Sequence, residues 1–366
     1  MKSKLIALYL PQFHEIDENN LWWGKGYTEW DAVKNAKPLF RGHLQPNVPL
    51  NDNYYDLSDI SAKTWKWQSK LAKEYGVYGF CIYHYWFDID SLLLQRPMEI
   101  LFDHPEIDIN YCVCWANESW SRNWYGLQRE VLKEQKYSTN SYIAQFNYLL
   151  KFFKDSRYIK IDNKPVVCIY RSDDILDLET LKSIWSNMAR DNGFGGVYIV
   201  SAKTGRKVVD NRETTIDAYY DFQPGYSINH KVPFFKKIPL YFRKSVVRTI
   251  NTIFHKKNLE EIIDSRIIYS SFKRKDINLK KNNYPGLFAK WDNTPRRLNK
   301  GSLYLNTTPS FFEKQIATML FYGEKQGFNM EFVFINAWNE WGEGCYLEPD
   351  CKYKFEYLKV IAKFFK

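Results

Sequence analysis

Short runs of β-branched and aromatic residues alternate along the chain with longer segments whose apolar residues recur every three or four positions. The runs fall near 4–10, 79–86, 109–115, 165–170, 197–202, 217–222, 286–291 and 332–337, and their length and composition predict strands. Helical patterning covers 58–75, 138–154, 177–192 and 310–326, with a closing helix at 353–365. In the third of these, Leu181, Ile184, Trp185 and Met188 keep helical spacing, and Gly193 stands where a terminating glycine belongs. The fourth is expected to open on Ser310-Phe311-Phe312-Glu313, which has the S-x-x-E form of a capping box. Strand then helix, eight times over, is the order of a (β/α)₈ barrel, here one α/β catalytic domain over 1–366. A doubly wound open sheet competes less well. It needs a glycine-rich turn after its first strand, and Leu10-Pro11-Gln12-Phe13-His14 stands there instead. The one irregularity is an insert at about 225–284, between strands six and seven, which reads as basic and partly helical.

Chemistry in such a barrel gathers at the C-terminal ends of the strands, and polar and aromatic residues converge there. Strand one is followed by Gln12 and His14, then by a loop carrying Trp22, Trp23, Glu29 and Trp30. Strand two ends in Tyr83-His84-Tyr85-Trp86, and strand three in Trp115-Ala116-Asn117-Glu118-Ser119-Trp120 with Arg122 beyond. Strand seven contributes Trp291, Asp292 and Arg296, and strand eight Trp338-Asn339-Glu340-Trp341-Gly342-Glu343-Gly344. From these ends Trp23, Glu29, Trp30, His84, Tyr85, Trp115, Asn117, Glu118, Trp291, Asp292, Arg296, Trp338 and Asn339 are the candidate substrate contacts.

The last segment gives the sharpest signal. Glu340 and Glu343 point the same way if the segment makes a helical turn. Glycosidic chemistry needs two carboxyl groups around one bond, one to supply a proton and one to stabilise or take charge. Crowded like charges raise one pKa, which creates the acid. A solvated loop pair is the alternative, and the flanking tryptophans and the strand-end position weigh against it. Other residues read two ways. His84 is a contact or a satisfied core histidine; Glu118 is a direct acid/base or a binding group; Asp292 and Arg296 are a structural salt bridge or a clamp on hydroxyls or phosphate. Asp88-Ile89-Asp90 has the D-x-D form of metal-dependent glycosyltransferases, a triplet common by chance, and neither a metal nor a cofactor is expected.

Composition sharpens this picture. The chain holds 13 Trp, 27 Tyr and 25 Phe, and aromatic faces stack on sugars or bases as well as filling cores. Residues 231–300 carry 18 Lys+Arg against 5 Asp+Glu, which leaves the rest near −3 of the total +10. A concentrated basic stretch fits an anionic partner. The body is not basic and shows no helix-turn-helix, zinc-finger or RNP pattern, so nucleic acid is not an expected partner. Within 234–257, Val246, Val247, Ile250, Ile253 and Phe254 recur at helical spacing, with Arg243, Lys244, Arg248, Lys256 and Lys257 as the basic side. That pattern fits a helix lying on an anionic membrane, or one whose apolar face packs on the barrel. Cys81, Cys112, Cys114 and Cys168 sit in strand-like runs and read as buried reduced thiols, and Cys112-Val113-Cys114 lacks zinc-site spacing. The apolar run after Met1-Lys2-Ser3-Lys4 is too short for a signal peptide, and no stretch approaches a spanning length. A cytoplasmic protein, at most peripheral at the inner membrane face, is expected.

At these residues the sequence resembles the WbsX family, glycosyltransferase-like proteins encoded with O-antigen and capsule genes. That family is related to the endo-α-1,2-mannosidases of glycoside hydrolase family 99. The resemblance is carried by Tyr9-Leu10-Pro11-Gln12-Phe13-His14, Trp22-Trp23-Gly24 through Trp30, Lys37-Pro38-Leu39-Phe40-Arg41-Gly42-His43, Gly79-Phe80 through Tyr83-His84-Tyr85-Trp86-Phe87, Cys114-Trp115-Ala116-Asn117-Glu118, Trp291 through Arg296, and Asn339 through Gly344. It implies a metal-free barrel acting with retention. Glu340 would assist the sugar's 2-hydroxyl as base, and Glu343 would be the general acid/base. Gly342 departs from the larger polar residue usual in those hydrolases, which puts one substrate contact in question. The implied partners are a sugar donor, nucleotide-activated or not, and a glycan or lipid-linked glycan acceptor. Transferase is the favoured activity, because the chain shows no export signal and carries the basic insert. An endo-acting hydrolase is the alternative, and a non-catalytic carbohydrate-binding module the third.

Overall fold

The structure, a computed structural model, describes residues 2–121, 131–206, 212, 214–276, 279–280 and 282–366. Its centre is a ring of parallel strands: β1 (Lys4–Tyr9), β2 (Val77–Asp88), β3 (Asn110–Trp115), β4 (Lys164–Ile169), β5 (Tyr198–Lys203), β6 (Ala218–Asp221), β7 (residues 283–288) and β8 (Phe332–Asn336). β7 closes the ring in two pieces. Asn283–Tyr284 pairs with β6, and Gly286–Phe288 pairs with β8. Pro285 between them has no N–H to donate, so the strand changes partner at that residue. Only glycine fits next, because a Cβ at Gly286 would overlap the Asp221 carbonyl oxygen across the seam.

Contacts between strands that are not neighbours show a filled interior. Cys114 of β3 meets the Tyr220 hydroxyl of β6 at 3.9 Å, and the Tyr220 ring stacks on Phe334 of β8 at 4.4 Å. The sulfurs of Cys81, Cys112 and Cys168 lie within 4.8 Å of one another, all fully buried. They fill space between β2, β3 and β4 as small apolar groups.

Helices coat the outside, and several follow the pattern of the sequence. Leu178–Asp191 buries Leu181 and Trp185, and Gly193 ends it at φ +84°. The Pro309–Gln326 helix corrects one expectation. Its cap is Thr308, whose hydroxyl accepts from Phe311 N–H at 3.3 Å, rather than Ser310. Pro309 is the reason, since a proline suits the first helical position and places the cap at the residue before it, two residues earlier than expected. The strand–helix alternation also lapses once: among the described residues no helix follows β5.

The connection between β6 and β7 holds Phe234–Ile253, Arg266–Phe272 and the strand Glu261–Asp264, which pairs in parallel with Ser302–Leu305. The long helix does not pack its apolar side on the barrel, one of its two expected placements. Arg243 donates to the carbonyls of Glu260 and Leu259, Lys244 pairs with Glu261 at 3.1 Å, and Arg248 pairs with Glu260 at 3.0 Å. Arg243 and Lys244 therefore face the body, while Arg248 reaches Glu260 with a side chain that stays 63% exposed. Glu260, a buried carboxylate that must be paired, takes Arg248 as its partner. Phe234, Phe235, Phe242 and Ile253 point outward.

Candidate active site

β8 ends at Asn336, and the chain then forms a tight hairpin in which Asn339–Glu340 pairs antiparallel with Cys345–Tyr346. The turn is a single 3-10 helix, Trp341–Glu343, closed by Gly344 at φ +57°. Three residues per turn bring positions i and i+3 into line, so Glu340 and Glu343 face one cavity. Asn339 fixes the hairpin to β1: its side chain accepts from Leu10 N–H at 2.8 Å and donates to the Leu10 carbonyl at 2.9 Å. Asp292 N–H donates to the Glu343 carbonyl at 2.8 Å.

Arg296 lies at the centre of the charge arrangement. Its Nε donates to Glu29 Oε1 at 2.8 Å, Nη2 donates to Glu340 Oε2 at 2.8 Å, and Nη1 meets Glu343 Oε1 at 3.1 Å. Glu29 opens the Glu29–Lys34 helix, where Asp31 accepts from Thr28 N–H at 2.7 Å and fixes the first turn. One guanidinium thus faces three carboxylates. Burial, and next the charge of Glu340, push Glu343 up to about 8, and burial also raises Glu29 despite Arg296. Glu343 is accordingly protonated near neutrality while its side chain stays 22% exposed to the cavity. Gly342 has a steric explanation, because a Cβ there would overlap Glu29 Oε1 and sit 2.8 Å from Arg296 Nε. A larger residue would displace the Glu29–Arg296 pair.

The carboxylates line a cavity with Tyr83, Tyr85, Glu118, Trp120, Tyr170, Phe222 and Trp291. It continues on one side, past Tyr85, Trp120 and Arg296, to a pocket bounded by Gln12, Trp22, Trp23 and Glu29. On the other side, past Tyr170, Phe222 and Trp291, it reaches the insert at Lys237, Leu240 and Tyr241. Trp23, Glu29, Tyr85, Glu118, Trp291 and Arg296 therefore line the cleft together with the two carboxylates. Glu118 is ion-paired with Arg171.

The remaining candidates are placed elsewhere. Trp338 is fully buried and donates to Glu348 at 3.0 Å; Trp115 is equally buried and donates to the Trp86 carbonyl at 2.8 Å. Neither ring can wall a sugar. Trp30 is buried against Phe13 and donates to the Tyr55 carbonyl at 2.8 Å. His84 alternates out of phase with Tyr83 and Tyr85 on β2, so it points away from the mouth and stacks on Tyr148. Burial lowers its pKa to about 3 and keeps it neutral. Asn117 and Asp292 are braces: Asn117 bonds both the N–H and carbonyl of Arg171, and Asp292 accepts from His43 at 2.8 Å and Gln45 at 2.6 Å. Asp88 pairs with Lys136 at 3.8 Å and Asp90 is exposed, and neither lines the cleft. Arg122 lies outside the described residues.

Residues 5–361 match the family Glycosyltransferase WbsX. The chain belongs to that family. It is similar to WxcX proteins from two strains of Xanthomonas campestris pv. campestris, at 32% identity over 99% of this chain and 50% of each relative. This WbsX-family chain thus spans half the length of those relatives. Among solved structures, the GH99 endo-alpha-mannosidase of Bacteroides thetaiotaomicron has a TM-score of 0.58 at 13% identity, covering 98% of this chain and 96% of that one. A glycoside hydrolase-like protein has a TM-score of 0.56 at 13% identity, covering 100% and 94%. At these identities the likeness is one of fold.

Two cleft residues of the WbsX-family chain escape a reading of strand-end polar groups: Tyr170 and Phe222. Each is the last residue of a predicted strand run, and each is an aromatic that lines the cavity. Their signal was position, not polarity. A second missed group is Glu348, which burial raises to about 7 while it accepts from Trp338, Trp341, Gln68 and Tyr55. It anchors the hairpin from behind.

Proposed function

We propose that this WbsX-family enzyme is a retaining glycosyltransferase of bacterial surface polysaccharide assembly, taking a sugar donor and a glycan or lipid-linked glycan acceptor. The observation that carries the chemistry is the Arg296 cluster, which presents one protonated and one hydrogen-bonded carboxyl group to the same cavity. Glu343 donates its proton to the leaving oxygen as the bond to the anomeric carbon breaks. Glu340, oriented by Arg296 Nη2, takes the proton of the sugar's 2-hydroxyl, whose oxygen attacks from the opposite face. Glu343, now ionised, then takes a proton from the acceptor hydroxyl as that hydroxyl attacks the anomeric carbon. The 2-oxygen leaves and recovers its proton from Glu340. Two displacements restore the starting configuration, and general acid–base assistance of this kind is worth about 100-fold or more.

The second reading is endo-acting hydrolysis, with water in place of the acceptor; the fold it shares with the GH99 endo-alpha-mannosidase favours it. The cleft extending to both sides of the carboxylates suits sugar on either side of the reacting bond in both readings. The deciding experiment incubates purified protein with nucleotide sugars plus acceptor glycans, and separately with oligosaccharides alone. Donor consumption that requires acceptor supports transfer. Cleavage of oligosaccharide alone, with no donor use, replaces transfer by hydrolysis.

A further inference from the structure

The insert helix Phe234–Ile253 has no buried residue, although it is 20 residues long and rich in apolar side chains. At about 100° per residue, Leu240, Lys244, Val247 and Asn251 fall on one side. That side is partly covered and meets Glu260 and Glu261 through the neighbouring cations. Phe235, Ile238, Phe242, Val246 and Ile253 fall on the other, and it is open: Phe235 is 64% and Phe242 71% exposed. A helix docked only on its own domain would bury the phenylalanines and leave the arginines in water. Here Arg243 and Lys244 turn toward the body instead, at the cost of leaving a stripe of large apolar side chains in water.

We propose that this outer face docks on an anionic lipid surface, with the helix lying in the interface plane. The charge distribution favours lipid over a protein partner. Lys256 and Lys257, exposed just past the C-terminal end of the apolar stripe, match anionic headgroups beside an apolar layer. No helix among the described residues is long and apolar enough to cross a membrane, so the contact is peripheral. The geometry also gives the contact a use. The helix's flank, at Lys237, Leu240 and Tyr241, walls the arm of the cleft that joins the carboxylate cavity through Tyr170, Phe222 and Trp291. Docking would hold that arm beside the lipid surface. The docking rests on the helix alone and not on which glycosyl reaction the cleft performs.

The test is flotation of the purified chain with vesicles of phosphatidylcholine alone, or of phosphatidylcholine with phosphatidylglycerol, at low and high salt, alongside light scattering without lipid. The expected result is co-flotation with the phosphatidylglycerol vesicles at low salt, reduced at high salt because screening weakens the lysine contribution. A triple Phe235→Ser, Phe242→Ser, Ile253→Ser variant should lose at least about tenfold in partitioning, since each side chain removed costs the transfer of a large apolar group. Its melting temperature should match the parent, because the outer face makes no buried contact. Lys256→Glu with Lys257→Glu should abolish the preference for phosphatidylglycerol. Failure of the parent to float, or flotation untouched by the serine substitutions, overturns the proposal. So does a dimer in light scattering that the serine substitutions dissociate, which would assign the face to a second copy of the chain.

Discussion

The strand-eight hairpin and the insert helix break the ordinary rule of burial in opposite directions. At the hairpin, Glu29, Glu340 and Arg296 are buried, with Glu343 beside them in the cavity. Along the helix, phenylalanines stand in water while Arg243 and Lys244 face the protein. The first exception persists because one guanidinium offers enough donors to meet three carboxylates, and a proton on Glu343 lowers the remaining negative charge. The second persists because a helix satisfies its own backbone, so its exposed face costs apolar hydration without unpaired polar groups. Burying charge thus demands a specific partner inside the chain, whereas exposing apolar surface leaves room for one outside it.

The strongest break of this comparison is removal of the shared cation. Arg296→Met should destabilise the protein by about 3–5 kcal/mol, because it strands buried carboxylates. Glu29→Gln should cost less, since one acceptor oxygen remains for Arg296. Urea unfolding of both variants at neutral pH checks the order; equal costs would mean that Arg296 is not the hub.

Next in size is the chemistry. Glu340→Gln and Glu343→Gln should each fold and each lose at least about 100-fold in rate. Full activity in either variant, with an unchanged melt, removes that residue from the mechanism. Activity should also fall as pH rises through about 8, where Glu343 gives up the proton it must donate.

The same shift has a sign in stability. Glu343 is raised when folded, so the native state holds a proton that the unfolded chain has released above about 4.3. Its contribution is therefore present at low pH and is lost as pH rises toward about 8. The melting-temperature difference, Glu343→Gln minus parent, should grow more positive between these limits. A pH-independent difference would show that burial does not raise this group.

Smaller effects separate cleft aromatics from core ones. Trp291→Ala should raise KM with little change in pH optimum, because the ring lines the cleft beside the carboxylates. Trp338→Phe should leave KM alone and cost about 1–3 kcal/mol of stability through the donor lost to buried Glu348. Reversal of these two outcomes would return Trp338 to the sugar site.

Much of this architecture was legible in the chain. Eight strand-like runs with helical segments between them imply a barrel, because buried parallel strands and amphipathic helices leave strong periodic signals. The paired glutamates were legible too, as two carboxyl groups three residues apart after the last strand. Periodicity could not say which strand-end aromatics face the cavity. Trp115, Trp338 and Trp30 carry the same letters as Trp23 and Trp291, yet their indole N–H groups find partners inside the core. Nor could it say which way the insert helix turns. Its sequence specifies two faces of opposite character, but Glu260 and Glu261, brought near by the folded chain, decide which face turns inward. The three-carboxylate grip of Arg296 spans positions 29 to 343. Local sequence fixes helices, strands and turns because their interactions reach only a few residues. Which distant charges meet is decided when the barrel closes and removes them together from water.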